Sequence, residues 1–312
     1  MSNRLLRYIV KRILLAILSV WIVITVTFFA MNAIPGGPFT GEKAVSQAVL
    51  DAMNEKYGLD QPVTVQYVNY LKNILDGDLG PSLKKTGRQV LDIIADGFEI
   101  SAKMGLIAAA VAIVIGLTLG SIAAIYRNKL VDKIIMIITT AFVAMPSFII
   151  GSFLLVIFVV KLGLFPAVYD VDLSGQAGLV LPVICLMFYP MSYITRLTRS
   201  SMLDVLGNDF IRTARAYGIN KHKVIYKYAL RNSVIPVITY VGPMLAYIVT
   251  GSMVVEQIFG VPGLGTQFVS SITNRDYTLI MGTTIFLASL IIIMNLFTDI
   301  VYKFVDPRIE LE

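Results

Sequence analysis

Few residues of this chain are of the kinds that perform chemistry, and they are not spaced as a catalytic or metal site. The 312 residues include one histidine, His222, and one cysteine, Cys185, so neither a histidine pair nor a cysteine cluster is present to hold zinc. His222 stands between two lysines, the setting of a solvated side chain rather than a catalytic one. The glycines of 260–265 are not followed by the Gly-Lys-Ser/Thr of a phosphate loop. The sequence therefore predicts no catalytic residue, no metal site and no cofactor or nucleotide bound by this chain.

The polar chemistry is concentrated instead in residues 208–236, NDFIRTARAYGINKHKVIYKYALRNSVIP. Asp209 is the one acid of this segment, against lysines and arginines at positions 212, 215, 221, 223, 227 and 231. Apolar residues recur at helical spacing within this basic background, the pattern of a short helix with one apolar and one wet face. These apolar residues are Phe210, Ile211, Ala214 and Tyr217.

The ends of this short helix are marked by residues that favour helix caps. Asn208 or Asp209 can accept a hydrogen bond from the first turn, and Gly218 can take the left-handed conformation that terminates a helix. Asn220 can cap a second helix directly afterwards. A membrane protein that presents such an element to the cytoplasm is expected to dock it, apolar face first, into a groove of a soluble partner.

The elements that must position this segment are membrane helices. Mean hydropathy is +0.77, 56% of the residues are hydrophobic and only 15% are charged, more apolar surface than a soluble domain could cover. Six segments hold about 20 or more mostly apolar residues, enough to cross about 30 Å of hydrocarbon. The predicted fold class is therefore an all-α membrane protein with six transmembrane helices. The segments are 8–31, 98–126, 133–161, 179–198, 234–257 and 279–304.

Lysine and arginine predict that both termini are cytoplasmic. Basic residues cluster before the first span, between the second and third, and between the fourth and fifth, whereas the short loops 168–178 and 260–278 hold one arginine, Arg275. The first span is too long for a typical signal-peptide core and is interpreted as a retained anchor. The predicted organisation is a cytoplasmic start and first helix at 1–31, an outer segment at 32–97, a five-helix core at 98–304 with a cytoplasmic segment at 199–233, and a cytoplasmic tail at 305–312.

The net charge of +6 is assigned to cytoplasmic loops that face the anionic leaflet of the lipid bilayer. It does not indicate nucleic acid, because no base-reading module is present. In the outer segment, 44–57 and 63–75 are candidate amphipathic helices that lie on the membrane surface, cap a vestibule or pack on each other. The apolar side of 63–75 consists of Tyr67, Tyr70, Leu71 and Ile74. Glu256, near the outer end of the fifth span, is expected to be solvated or at a helix end.

The second span carries small residues at every fourth position. Such a stripe forms a smooth groove into which another helix can pack closely, within this chain or in a second subunit. Alanine and glycine are common in membrane helices, so a chance stripe is the alternative. The predicted helix-packing residues are Ala108, Ala112, Gly116 and Gly120, with Ala124 continuing the spacing.

Several motifs, in order along nearly the whole chain, resemble one family. The sequences RTARAYG at 212–218 and YALRNSVIPVIT at 228–239 are similar to the cytoplasmic signature of bacterial binding-protein-dependent ABC permeases. The oligopeptide/dipeptide/nickel group, and within it the B-type permease, is indicated by further motifs. These are RYIVKRILLAI at 7–17, YGLDQPVTVQYVNYL at 57–71, GDLGPSL at 77–83 and the IFGVPGLG…RDY run at 258–277.

The resemblance implies a type I importer fold with a six-helix core, and a chain without its own nucleotide site. Expected partners are a homologous C-type permease, two cytoplasmic ATPases that bind ATP and Mg, an extracytoplasmic peptide-binding protein, and the transported peptide. Where the general permease pattern has Glu-Ala-Ala, this chain has Arg-Thr-Ala, a variant common in the peptide-type subgroup. The coupling helix that contacts an ATPase would comprise Asp209, Phe210, Ile211, Arg212, Thr213, Ala214, Arg215, Ala216, Tyr217 and Gly218.

The resemblance favours oligopeptides as the substrate, with dipeptides, nickel complexes and glutathione as alternatives within the group. An ion-coupled secondary transporter would need a midplane ion site and broken helices in matching halves, and the sequence indicates neither. A membrane subunit without transport is the other rival. Coupling of ATP hydrolysis to this chain discriminates against both.

Overall fold

The computed structural model describes residues 3–34, 37–39, 53–55, 57–170 and 175–305. Regular structure in this part of the chain is helical, apart from one isolated bridge between Pro81 and Gln89. Helices are the expected outcome for apolar segments in a membrane, because every backbone N–H and C=O then finds its partner within the segment. The predicted all-α fold class is confirmed.

The helices vary in length from one or two turns to membrane-spanning rods. A 3-10 turn, Gly175–Leu179, leads into the sixth of them, and π-helical turns occupy Leu155–Lys161 and Val224–Leu230. In chain order they are α1 (Asn3–Ala33), α2 (Val63–Leu75), α3 (Val90–Ile125), α4 (Leu130–Ala144), α5 (Ser147–Lys161), α6 (Val180–Leu206), α7 (Asp209–Ala216), α8 (Lys221–Ser233), α9 (Ile235–Val249), α10 (Met253–Ile258), α11 (Leu264–Thr273) and α12 (Tyr277–Val305).

Four of the described helices, α1, α3, α6 and α12, are long and apolar enough to cross a membrane without a break. Two pairs reach that length only together: α4 with α5 across a 107° bend, and α8 with α9 across a 49° bend. The described chain thus has four unbroken candidate spans, or six if each bent pair counts as one. The continuous helix predicted for 133–161 is wrong.

Proline and glycine explain these departures from the predicted spans. Pro146 has no backbone N–H, and its ring disfavours a helical conformation in the preceding residue. Met145 is accordingly extended, at φ −82° and ψ 127°. Pro236 stands at the start of α9, where its ring and missing N–H interrupt the preceding helix. The predicted span 234–257 also ends early, with α9, because Gly251 turns the chain at φ +88°.

The described residues divide into two compact units. One contains those of Met1–Ile100 and Pro262–Ile292, and the other those of Ser101–Val261 and Ile293–Glu310. The organisation predicted from the sequence instead separates the first helix and the outer segment from a single core at 98–304. The grouping differs because tertiary contacts, rather than order along the chain, join the start of α12 to α1 and α2.

In the first unit, α2 packs against α1 and the start of α12. The predicted helix 63–75 is confirmed, and its predicted apolar side lies against a buried cluster that includes Phe28 and Met281. A hydrogen bond of 2.7 Å between the hydroxyls of Thr25 and Tyr67 adds a polar tie. This packing on α1 and α12 was not among the alternatives drawn from the sequence, and most of the predicted helix 44–57 lies outside the described residues.

Two separate sequence motifs of the first unit meet at Asp276. Its buried carboxylate accepts hydrogen bonds from the Ser82 hydroxyl, from the Leu83 N–H at 3.1 Å and from the Leu279 N–H at 3.3 Å. The acid therefore caps the first turn of α12 and ties the 77–83 motif to it. A buried carboxylate is tolerated here because its oxygens are hydrogen-bonded.

In the second unit, α6 packs against α3, α4, α5 and α9. The rings of Phe142 on α4 and Phe188 on α6 stack with their centroids 4.1 Å apart. Glu256 on α10 is fully buried, and its carboxylate accepts a 2.7 Å hydrogen bond from the Ser101 hydroxyl of α3. Of the two settings expected for Glu256, solvation is therefore wrong, whereas the helix end is observed, since Glu256 lies in the first turn of α10.

Candidate functional site

The start of α7 is built by backbone groups rather than by a side-chain cap. Asn208 is extended, at φ −73° and ψ 152°, and its carbonyl accepts the Ile211 N–H at 3.1 Å. Its side chain makes no capping hydrogen bond, so the side-chain cap predicted for Asn208 is wrong. The Thr213 hydroxyl donates to the Asp209 carbonyl at 3.0 Å. The charge of Asp209 lies in the first turn, where the positive end of the helix dipole favours it.

The end of α7 follows the prediction. Gly218 is left-handed, at φ +70°. Its N–H donates to the Arg215 carbonyl at 2.9 Å, and the Ile219 N–H donates to the Ala214 carbonyl at 3.2 Å. These two bonds define a Schellman motif, which satisfies carbonyls that the helix end would otherwise leave open. Gly218 thereby fixes where α7 stops and α8 starts.

Asn220 caps α8 as predicted, since its side-chain oxygen accepts the His222 N–H at 2.9 Å. Lys221, His222 and Lys223 are exposed in the first turn of α8, which places His222 in the solvated setting expected from its neighbours. The apolar side of α8 is buried within the chain. Its buried members are Val224, Ile225 and Ala229.

The apolar side of α7 points into the chain itself. Ile211 is 0% exposed and Ala214 is 6% exposed, and both belong to a cluster contributed by α3, α6 and α8. The expectation that these two side chains fill a partner's groove is therefore wrong. A helix of this length is not stable alone in water, so its apolar face is used to hold it in place. The other buried members of the cluster are Ala124, Met202, Val224, Ile225 and Ala229.

The exposed side of α7, which borders the buried Ile211 and Ala214, is basic and aromatic. Phe210 is 43% exposed and Tyr217 82% exposed. Arg212 and Asp209 form a surface ion pair of 3.4 Å, too solvated to stabilise the helix appreciably. Two aromatic anchors among cations suit a partner surface with apolar pockets and an acidic rim. The remaining exposed residues of this side are Thr213, Arg215, Ala216 and Gly218.

A buried ion pair that the sequence analysis did not single out joins α4 to α6, close to the cluster under α7. Arg199 donates to both carboxylate oxygens of Asp132, from Nε at 2.6 Å and from Nη2 at 2.8 Å. The Asn128 N–H donates to the same carboxylate at 2.9 Å. The available signal was an acid between Lys129 and Lys133 at the start of an apolar helix, where a buried carboxylate requires a cationic partner.

The small residues of α3 lie against α6. An added Cβ on Gly116 would stand 2.7 Å from the Ile194 side chain, and one on Gly120 would stand 2.6 Å from the Thr195 carbonyl oxygen. Ala108 and Ala112 are fully buried. The helix that fills the groove therefore comes from this chain, which was one of the two possibilities left open by the sequence.

The arrangement is suited to docking and to moving as a unit rather than to reaction chemistry. Within the described ranges, no group of three or more histidine, cysteine, aspartate or glutamate side chains could hold a metal ion. Instead, α7 presents an exposed surface on one side and is fixed through Ile211 and Ala214 to α3, α6 and α8. Through this cluster α7 is joined to α3 and α6, two helices of membrane-spanning length.

Two family models match the chain. The model described as "Binding-protein-dependent transport system inner membrane component" matches residues 116–311. The model for the N-terminal part of such membrane components matches residues 5–104. Together they include α7, α8 and the α3–α6 contact as well as the first unit's α1 and α2.

Curated relatives are similar over nearly their full length. A dipeptide transport system permease protein of Bacillus subtilis is 43% identical over 305 residues, covering 98% of each chain. Oligopeptide transport system permease proteins of Haemophilus influenzae and Escherichia coli are 42% and 39% identical over 311 residues, covering 98% of this chain and 100% of theirs.

Solved structures share the fold at low sequence identity. An inward-facing structure of the MetNI methionine ABC transporter aligns with a TM-score of 0.53 at 17% identity, covering 69% of this chain and 97% of that chain. An amino acid ABC transporter aligns with a TM-score of 0.52 at 15% identity, covering 70% and 95%.

Proposed function

Because the chain belongs to the family of binding-protein-dependent transport system inner membrane components, we propose that it is the B-type permease of an ATP-driven peptide importer in a bacterial cell membrane. A homologous C-type permease supplies the other half of the translocation pathway. Two cytoplasmic ATPases bind ATP and Mg and perform the hydrolysis, so this chain is a transport subunit and not an enzyme. An extracytoplasmic binding protein delivers the peptide.

The assignment of peptides as the substrate rests on the full-length similarity to permeases named for peptides. Relatives at 39–43% identity include both oligopeptide and dipeptide permeases. Oligopeptides are the proposed substrate, which is also the substrate that the resemblance of the sequence motifs favours. Dipeptide import is the second candidate, favoured by the Bacillus subtilis relative at 43% identity.

The proposed coupling works through the two sides of α7. The exposed side, with Phe210 and Tyr217, docks on an ATPase, and the buried side passes the motion to α3, α6 and α8. Closure of the ATPases on ATP then favours the outward-facing arrangement of the membrane helices, a two-state change biased by the nucleotide. The buried cluster passes the motion of α7 to these helices with little deformation, because protein interiors are close-packed and hardly compressible.

Reconstitution tests the assignment directly. The tagged chain is purified with its C-type permease and both ATPases, placed in liposomes with ATP on the ATPase side, and supplied with its binding protein and labelled alanine peptides. ATP-dependent uptake of penta-alanine in excess of di-alanine is expected. The reverse preference selects the dipeptide candidate. Absence of uptake for both peptides, in a complex that hydrolyses ATP, contradicts peptide import.

A further inference from the structure

The exposed residues of α6 form a single polar stripe. Within Val180–Leu206 the exposed residues occur at spacings of four, three, four and four, which places them on one face of the helix. That face begins near the middle of the candidate span Gly175–Leu206 and runs toward α7. Its members are Tyr189, Tyr193, Arg196, Ser200 and Asp204.

A neighbouring helix extends this face. Tyr240 on α9 stacks on Tyr193, with the ring centroids 4.3 Å apart and an interplanar angle of 29°. Tyr189 lies one turn before Tyr193 on the same face of α6. We call Tyr189, Tyr193 and Tyr240 the tyrosine face. Among the described residues, none hydrogen-bonds to these three hydroxyls.

Lipid is a poor occupant for the tyrosine face. A tyrosine hydroxyl without a hydrogen-bond partner is costly in hydrocarbon, and tyrosines that meet lipid concentrate at the membrane interfaces. Tyr189 is 54% exposed and Tyr193 41% exposed near the middle of their span. Exposed aliphatic residues, which suit lipid, occur on other spans, as with Leu14 on α1, Val114 on α3 and Ile137 on α4.

A closely packed partner helix is also a poor occupant. Where α3 packs closely on α6, glycine allows the approach, as at Gly116 and Gly120. The tyrosine face instead presents bulky rings that hold another helix backbone away. Arg196, farther along the same stripe, is exposed and has no ion pair among the described residues. The three hydroxyls of the tyrosine face and the cation on this stripe are therefore without a hydrogen-bond or ion-pair partner among the described residues.

We propose that the tyrosine face lines the translocation path and hydrogen-bonds the main chain of the peptide in transit. This inference rests on the proposed peptide import and adds the site at which the substrate is held. A tyrosine hydroxyl both donates and accepts hydrogen bonds, so it matches the N–H and C=O groups of any peptide. The rings shield the backbone of the peptide from lipid and do not discriminate between peptide side chains of different charge. This suits a transporter of peptides with varied sequences.

The test uses the complete reconstituted complex and saturating labelled tri-alanine and tri-lysine. Tyr189→Phe, Tyr193→Phe and Tyr240→Phe in one chain remove the hydroxyls and keep the rings. The maximal uptake rate of both peptides is expected to fall by about tenfold, with nucleotide hydrolysis without peptide unchanged. Tyr126→Phe, an exposed tyrosine at the end of α3, is the control and should leave uptake unchanged.

Photo-crosslinking at position 193 identifies the occupant. A benzophenone amino acid there should attach to labelled tri-alanine during ATP-driven turnover, and tri-lysine should compete. Attachment to the C-type permease alone, together with unchanged uptake in the triple variant, overturns the inference and assigns the face to a subunit contact. A loss confined to one of the two peptides overturns the main-chain assignment. If the wild-type complex takes up neither peptide, the proposed peptide import itself fails.

Discussion

The two sides of α6 meet their surroundings in opposite ways. Toward α3, Ile194, Thr195 and Thr198 are fully buried, against glycines with no room for a Cβ. On the other side, Tyr189 and Tyr193 are exposed with open hydroxyls. On the side of α6 that holds the fold, the neighbouring helix contributes glycines. On the side available for function, large side chains keep hydroxyls without a hydrogen-bond partner among the described residues.

The same contrast separates two arginines one turn apart on α6. Arg199 is 23% exposed and makes two hydrogen bonds to the buried carboxylate of Asp132. Arg196 is exposed and lies on the stripe with Tyr189 and Tyr193. The contrast between buried and exposed side chains recurs on α7, where Ile211 and Ala214 hold the helix while Phe210 and Tyr217 remain free to bind. The following changes test whether the buried and the exposed sides really separate stability from function.

The largest effect is expected for Gly120→Leu. The new side chain would collide with the Thr195 carbonyl oxygen, since a Cβ alone stands 2.6 Å from it, and backbone cannot yield as a flexible side chain does. We expect the membrane to contain little folded chain, measured by the monodisperse fraction after detergent extraction. Val114→Leu on the exposed side of α3 is the control. If both variants accumulate equally, the α3–α6 contact does not hold the fold.

Ala214→Asp places a charge in the cluster under α7. Since Ala214 is 6% exposed among apolar neighbours, an unpaired carboxylate there should destabilise the chain by several kcal/mol, on the order of 3. The thermal midpoint of the purified chain should fall, whether or not the ATPases are present. Thr213→Asp, on the exposed side of α7, should leave the midpoint unchanged. Loss of ATPase binding at an unchanged midpoint would instead place Ala214 at the partner surface.

Arg199→Gln leaves the buried Asp132 carboxylate without its cation. We expect a loss of up to about 3 kcal/mol in unfolding free energy, because Asp132 is 3% exposed and the Asn128 N–H alone remains to satisfy it. Arg196→Gln, one turn away on the exposed stripe, should change the free energy by less than about 0.5 kcal/mol. Denaturant titration in detergent compares the two. Equal losses would remove the distinction between the two sides of α6.

The smallest stability effect, with a clear effect on binding, is expected for Tyr217→Ala. Tyr217 is 82% exposed, so its removal should leave the thermal midpoint unchanged. As a proposed aromatic anchor on the ATPase it should weaken that complex by about 2 kcal/mol, roughly 30-fold in Kd. Tyr226→Ala, an exposed tyrosine on α8, is the control. An unchanged Kd for Tyr217→Ala would argue that α7 does not dock through this residue.

Local signals in the sequence were sufficient for features that depend on a few neighbouring residues. Gly218 and Asn220 were predicted as helix punctuation and are so placed, because cap geometry is decided within one turn. The α2 helix and its apolar side were predicted because the helical spacing of apolar residues is likewise a pattern of near neighbours. The broken 133–161 helix shows the limit: Pro146 was visible, but whether a proline bends a membrane helix by 107° depends on the neighbours that satisfy the freed groups.

By itself, the sequence determined that this chain is a helical membrane protein with a basic, capped segment, since hydropathy and helix caps are local properties. Only the tertiary structure decided which side of each helix is used. Periodicity defines an apolar face but does not say what covers it. For α7 the cover proved to be the chain's own helices, and for Asp132 it proved to be Arg199, 67 residues away. Such pairings are set by which surfaces pack most closely, and that is decided only when distant segments meet.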